Sequence, residues 1–86
     1  MLQHLWAVRM RPAKISKLQH EILYLLDRIG PSVEIGRLAK FVTVTQHQSR
    51  IRKCLEEMQE KAWAVSDHGL RWTIANGGKS LLLEAE

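Results

Sequence analysis

Leu18, Ile22, Leu25, Leu26 and Ile29 form one apolar stripe at the helical period, and they predict a helix over residues 17–29. Ser16 before it and Gln19 three residues further on make a capping box, in which each side chain satisfies the other's backbone N–H. Tyr24 falls at the edge of the stripe. Gly30 then supplies a C-terminal cap, and Pro31 prevents continuation. Ile35, Leu38, Ala39 and Val42 have the spacing of a second, short helix, with Arg37 and Lys40 outside its buried face. Gly36 weakens that helix by about 1 kcal/mol relative to alanine, so close packing against a neighbour is expected there. Ser32, Val33 and Glu34 read either as a brief extended segment or as the cap of this helix.

Val42, Thr43, Val44 and Thr45 place β-branched residues in a row, which disfavours helix and marks a turn. A third helix is expected over residues 45–61. Thr45 is its cap, with Gln48 as partner in a second capping box, and Ile51, Cys54, Leu55 and Met58 form its buried stripe. The period then changes to two. Trp63 and Val65 alternate with Ala64 and Ser66, Asp67-His68-Gly69 signals a turn, and Leu70, Trp72 and Ile74 alternate with Arg71 and Thr73. This predicts a two-stranded hairpin with both tryptophans facing inward. Asn76 caps a last short helix holding Leu81, Leu82 and Leu83. Ahead of everything, Leu2, Leu5, Trp6 and Met10 line one face of a short segment. The chain therefore divides into an N-terminal extension, 1–15, and a folded domain, 16–86.

At 86 residues and 45% apolar composition, the chain has one domain's length and can bury one modest core. Cys54 is the single cysteine, and the four histidines fall at no zinc-ligand spacing, so neither a disulfide nor a metal is expected. No stretch reads as a secretory signal or a membrane span, which points to a reduced, cytoplasmic setting. Paired carboxylates, a Ser/His/Asp set and a phosphate-binding glycine loop are all missing, so the reading is not an enzyme and needs no cofactor. The net charge of +4 is unevenly spread. Residues 1–55 sum to +7 and residues 56–86 to −3. A basic first part is the electrostatic footprint of a nucleic-acid binder.

The order is helix, short helix, turn, longer helix, hairpin, and short last helix. It is carried by Ile35-Gly36-Arg37-Leu38-Ala39, by Ile51, Cys54, Leu55 and Met58 running into Trp63-Ala64-Val65, and by Trp72-Thr73-Ile74-Ala75-Asn76-Gly77-Gly78. This set resembles the winged helix-turn-helix family, in particular its MarR-like regulators, over residues 18–83. The resemblance implies an α+β, mostly α fold: a three-helix core, a two-stranded β-hairpin wing and a short C-terminal helix. Against the family's usual spacing, either the turn before the third helix is about two residues longer or that helix starts early, and Ser49 stands where an apolar residue is usual.

The resemblance further implies binding to double-stranded DNA, with the third helix in the major groove. Gln46, His47, Ser49, Arg50 and Lys53 remain outside its buried stripe, residue types that pair with base edges. Arg52, nearer the flank, suits a phosphate, and Thr43 and Thr45 are placed to donate to phosphates. His68 and Arg71 are the expected contacts of the wing. Glu56, Glu57 and Glu60 at the far end of the same helix would repel phosphate, so its first half should enter the groove. A homodimer is expected through Leu2, Leu5, Trp6 and the Leu81, Leu82 and Leu83 run. The rival reading is a winged helix used only as a protein-interaction adaptor, and there Cys54, Trp63 and Trp72 keep the same roles as core residues.

Overall fold

A computed structural model of the protein describes residues 15–85; the Leu2, Leu5 and Trp6 segment lies outside them. The elements run α1 (Lys17–Ile29), β1 (Val33–Glu34), α2 (Ile35–Ala39), α3 (Gln48–Glu60), β2 (Ala64–Asp67), β3 (Arg71–Ile74) and α4 (Asn76–Ala85). The class is α+β, with helices packed on a three-stranded antiparallel sheet of order β1-β3-β2.

α1 has the expected bounds and cap. The Gln19 N–H donates to Ser16 Oγ at 3.1 Å, and the Ser16 N–H donates to Gln19 Oε1 at 2.9 Å. Its buried line is Gln19, Ile22, Leu23 and Leu26, while Leu18, Leu25 and Ile29 pack at its flanks. The centre of the stripe is thus turned toward Leu23, because α4 packs on that side as well and widens the covered arc. Gly30 ends the helix, its N–H donating to Leu26 O at 2.9 Å.

The expected two-stranded hairpin forms from β2 and β3, and a third strand not expected in the sheet joins its edge. Val33 and Glu34 are extended and pair with Trp72 and Arg71, so the chain adds an edge strand on its way into α2. In β3 Trp72 and Ile74 face inward as expected, but in β2 the inward phase is corrected. Ala64 pairs with Ile74 and Ser66 with Trp72 on the helix-facing side, and Val65 pairs with Thr73 on the outer side, where it is 51% exposed. Trp63 precedes β2 and reaches the core by a different route: Ala62 takes a left-handed φ of 62° and swings the chain under α3. Leu70, expected inward, sits in the turn and is 67% exposed.

One core joins all the elements. Ile22, Leu23 and Leu26 of α1 meet Leu38, Ile51, Leu55, Met58, Val33 and Trp72, all fully buried. Burial of each such side chain is worth roughly 1.5–3 kcal/mol. Leu81 and Leu82 of α4 complete the core, and Leu83 faces out. Asn76 is the first residue of α4 and not its cap, and Gly77 and Gly78 lie within the helix.

Besides Leu81 and Leu82, α4 meets the rest most closely at Gly78. A Cβ there would overlap the Trp63 carbonyl oxygen and come within 2.8 Å of Leu23 Cδ2 and 3.0 Å of Ile74 Cγ1. Backbone cannot yield as a flexible side chain does. Gly78→Ala is therefore expected to destabilise the domain by about 3 kcal/mol, measured as a fall in the urea midpoint. An unchanged midpoint would mean that α4 does not pack this closely.

Candidate nucleic-acid interface

α3 turns about 100° per residue, which sorts its side chains into three exposed lanes around the buried line of Ile51, Cys54, Leu55 and Met58. The middle outward lane holds Ser49, Lys53, Glu56 and Glu60. The lane toward the hairpin holds Arg52 and Gln59. Arg52 Nη1 donates to the Gly69 carbonyl at 3.4 Å, and the Ser66 hydroxyl donates to Gln59 Oε1 at 2.7 Å. The lane toward α1 holds Arg50 and Glu57; with Lys53 they border a shallow hollow against Ser16 and Gln19. Arg50, Arg52 and Lys53 are exposed and make no ion pair among the described residues.

The expected start of this helix is corrected. It begins at Gln48, with His47 in the cap position and no side-chain cap. Thr45 is buried, and its Oγ1 accepts from the His47 N–H at 3.2 Å, a side-chain turn placed before the helix. The Thr45–Gln48 capping box does not form. Gln46 and His47 are exposed in the approach to the helix, beside Ser49 on its first turn.

Thr43 is engaged elsewhere. Its hydroxyl donates to Glu21 Oε2 at 2.6 Å, and the N–H groups of Thr43 and Val44 donate to Glu21 Oε1 at 2.9 and 3.0 Å. One carboxylate on α1 thus holds the loop that delivers α3. Neither Thr43 nor Thr45 is a free donor: one is clamped, the other buried. Glu21 had no signal in the sequence, because its partners lie 22 and 23 residues away.

On the hairpin, His68 takes a left-handed φ of 55°, and its imidazole lies 3.4 Å from Asp67 at the exposed tip. Arg71 is exposed but stands across the strands from both Glu34 and Asp67. It makes no ion pair with either carboxylate. Of the C-terminal leucines, only Leu83 is presented outward, at 74% exposure.

Cys54 is buried with its Sγ 3.7 Å from Met58 Sδ. Burial, followed by the nearby Glu57 charge, pushes its thiol up to about 11. Among the described residues no three His, Cys, Asp or Glu side chains gather as metal ligands, and no helix is long and apolar enough to cross a membrane. Comparison with protein-family models, with curated proteins and with solved structures finds no match to this chain.

Burial pushes the Glu21 carboxyl up, but the hydrogen bonds from the Thr43 hydroxyl and from the Val44 and Thr43 amides outweigh it and hold the group below its ordinary value. A carboxyl with a lowered pKa in the folded state stabilises the fold above the unfolded pKa, about 4.3, and loses that contribution as pH falls through the folded value. Being solvent-screened, the clamp is expected to contribute about 1 kcal/mol. Glu21→Gln should show that deficit in urea unfolding at neutral pH and approach wild type in strong acid; a deficit unchanged by pH would refute the charged clamp. Because the Cys54 thiol stays protonated at neutral pH and is covered, iodoacetamide should label the protein only once denaturant unfolds it. Rapid labelling of the native protein would contradict this burial.

Proposed function

We propose that this protein is a winged helix-turn-helix domain of the MarR-like kind that binds double-stranded DNA as a small transcription regulator, inserting the first half of α3 into the major groove. The observation that carries the reading is the direction of charge along α3. A helix is stabilised by acids in its first turn and bases in its last, by about 0.3–1 kcal/mol each. α3 has no acid in its first turn and no base in its last. Arg50, Arg52 and Lys53 lie in its first half and Glu56, Glu57 and Glu60 in its second. This arrangement opposes the helix's own dipole, so the dipole does not account for it. An external polyanion at the N-terminal end does account for it, because the positive dipole end and three cations then add.

The order of helices and hairpin supports the same class. Its site consists of Gln46, His47, Ser49, Arg50 and Lys53 toward bases, Arg52 toward phosphate beside the hairpin turn, and His68 at the tip. Thr43 and Thr45 support the loop from within. The exposed Leu83, beside Tyr24 and Lys79 in an open hollow between α1 and α4, favours a second reading as a protein-contact module.

Titrating a random-sequence duplex with salt separates the two. With about four phosphate contacts, affinity should fall on the order of 100-fold between roughly 50 and 200 mM salt. Replacing Arg52, the phosphate-facing cation, by alanine should lower the slope of log K against log salt by about one. A folded protein that fails to bind duplex at low salt would overturn the DNA reading and promote the adaptor reading.

A further inference from the structure

α4 packs along α1, and between the two helices lies an open hollow of about 540 Å³. Tyr24, Asp27 and Arg28 border it from α1, and Lys79, Leu82 and Leu83 from α4. Leu82 is buried, but Leu83 is 74% exposed and Tyr24 40%. A second hollow, of about 320 Å³, lies where the described chain begins, bordered by Ile15, Ser16, Lys17 and His20. His20, Tyr24 and Asp27 follow one another at i, i+4 and i+7 on α1 and share one face of it. The two hollows therefore lie along the same face, one at the chain's entry and the other against α4.

Fourteen residues precede Ile15, among them Leu2, Leu5, Trp6 and Met10. Fully extended, the chain from Trp6 to Ile15 reaches up to about 30 Å. Tyr24 stands only about 14 Å along α1 from Ile15. The segment is long enough to reverse direction and return to the hollow with its apolar residues. It is also the one part of this chain that carries apolar side chains for which the described core holds no place.

We propose that residues 2–10 run back along α1 and cover the hollow between α1 and α4, with Leu2, Leu5 and Trp6 packed on Tyr24, Leu82 and Leu83. The occupant is the chain's own segment and not a second copy, for two physical reasons. Two exposed side chains are a small patch beside the roughly 1,200–2,000 Å² that a stable interface between proteins buries. A tethered segment, by contrast, meets its site at an effective concentration on the order of millimolar. The surface that favoured the protein-contact reading is then closed by the protein itself, and the apolar groups expected to form a dimer are satisfied within one chain.

Paired cysteines in the full chain test this. Ala7→Cys stands next to Trp6 in the sequence and Lys79→Cys on the rim of the hollow, so the apolar groups are kept, and the native Cys54 is buried. Ala7→Cys with Lys53→Cys is the control, because Lys53 and Ser16 border a common hollow on another side of α1 and tethering alone reaches it. Under mild oxidation the Lys79 pair should give a monomer with an internal disulfide, formed about tenfold faster than in the control. Adding Leu83→Glu should remove that advantage, and Trp6→Ala in the otherwise native chain should lower the urea midpoint. Equal rates from the two pairs, or no disulfide in either, would overturn the docking. A disulfide-linked dimer would overturn it in favour of a second copy, and an unchanged midpoint for Trp6→Ala would show that the ring covers nothing. All of these are read without duplex, so the DNA reading stands or falls separately.

Discussion

Trp63 is the residue through which α3, the hairpin and α4 are joined. Its N–H donates to Met58 O at 2.9 Å and so closes the end of α3. Its carbonyl accepts from the Ala75 N–H at 2.9 Å, where the chain returns from β3, and the same carbonyl lies against Gly78 of α4. Its ring is buried, with Lys61 Nζ 4.8 Å from the centroid on one face. Helix end, hairpin closure and last helix are therefore tied through one peptide unit. Each leaves a backbone group that would cost about 1–3 kcal/mol if buried without a partner. The left-handed Ala62 before it is the strain that permits the turn.

That junction fixes the angle between α3 and the hairpin, and two side-chain links hold it further down. Gln59 meets Ser66 near the junction, and Arg52 meets Gly69 near the tip. At the opposite end of α3, Glu21 clamps the incoming loop. The helix is held at both ends by backbone and polar contacts while its outward lane stays free. Its charge order opposes its own dipole, and a helix so arranged depends on tertiary packing at Ile51, Leu55 and Met58 for its stability.

Much of the architecture was legible along the chain because it is set by near neighbours. The Ser16 and Gln19 box, the stop at Gly30-Pro31 and the stripe of Ile51, Cys54, Leu55 and Met58 all follow from spacings of a few residues. The hairpin turn followed from Asp67-His68-Gly69. What failed was long-range. Val33 and Glu34 read as extended or as a cap, but that they join the sheet depends on Trp72 and Arg71 far along the chain. Thr45 has the chemistry of a cap but is drawn into the interior, so the helix starts three residues later without one. Thr43 is a polar residue free to bind in the sequence, and the partner that engages it, Glu21, comes from a distant segment.

The sequence by itself determined the helices, the change of period at Trp63 and the polarity of charge along the third helix, because each depends on side-chain order within one element. Only the tertiary structure decided which cations remain free, which glycine is packed and which is open, and where the third strand comes from. Those depend on which distant groups meet. Gly78 and Gly36 show the difference most plainly: both lie within helices, yet one is pressed against the Trp63 carbonyl and the other faces open space.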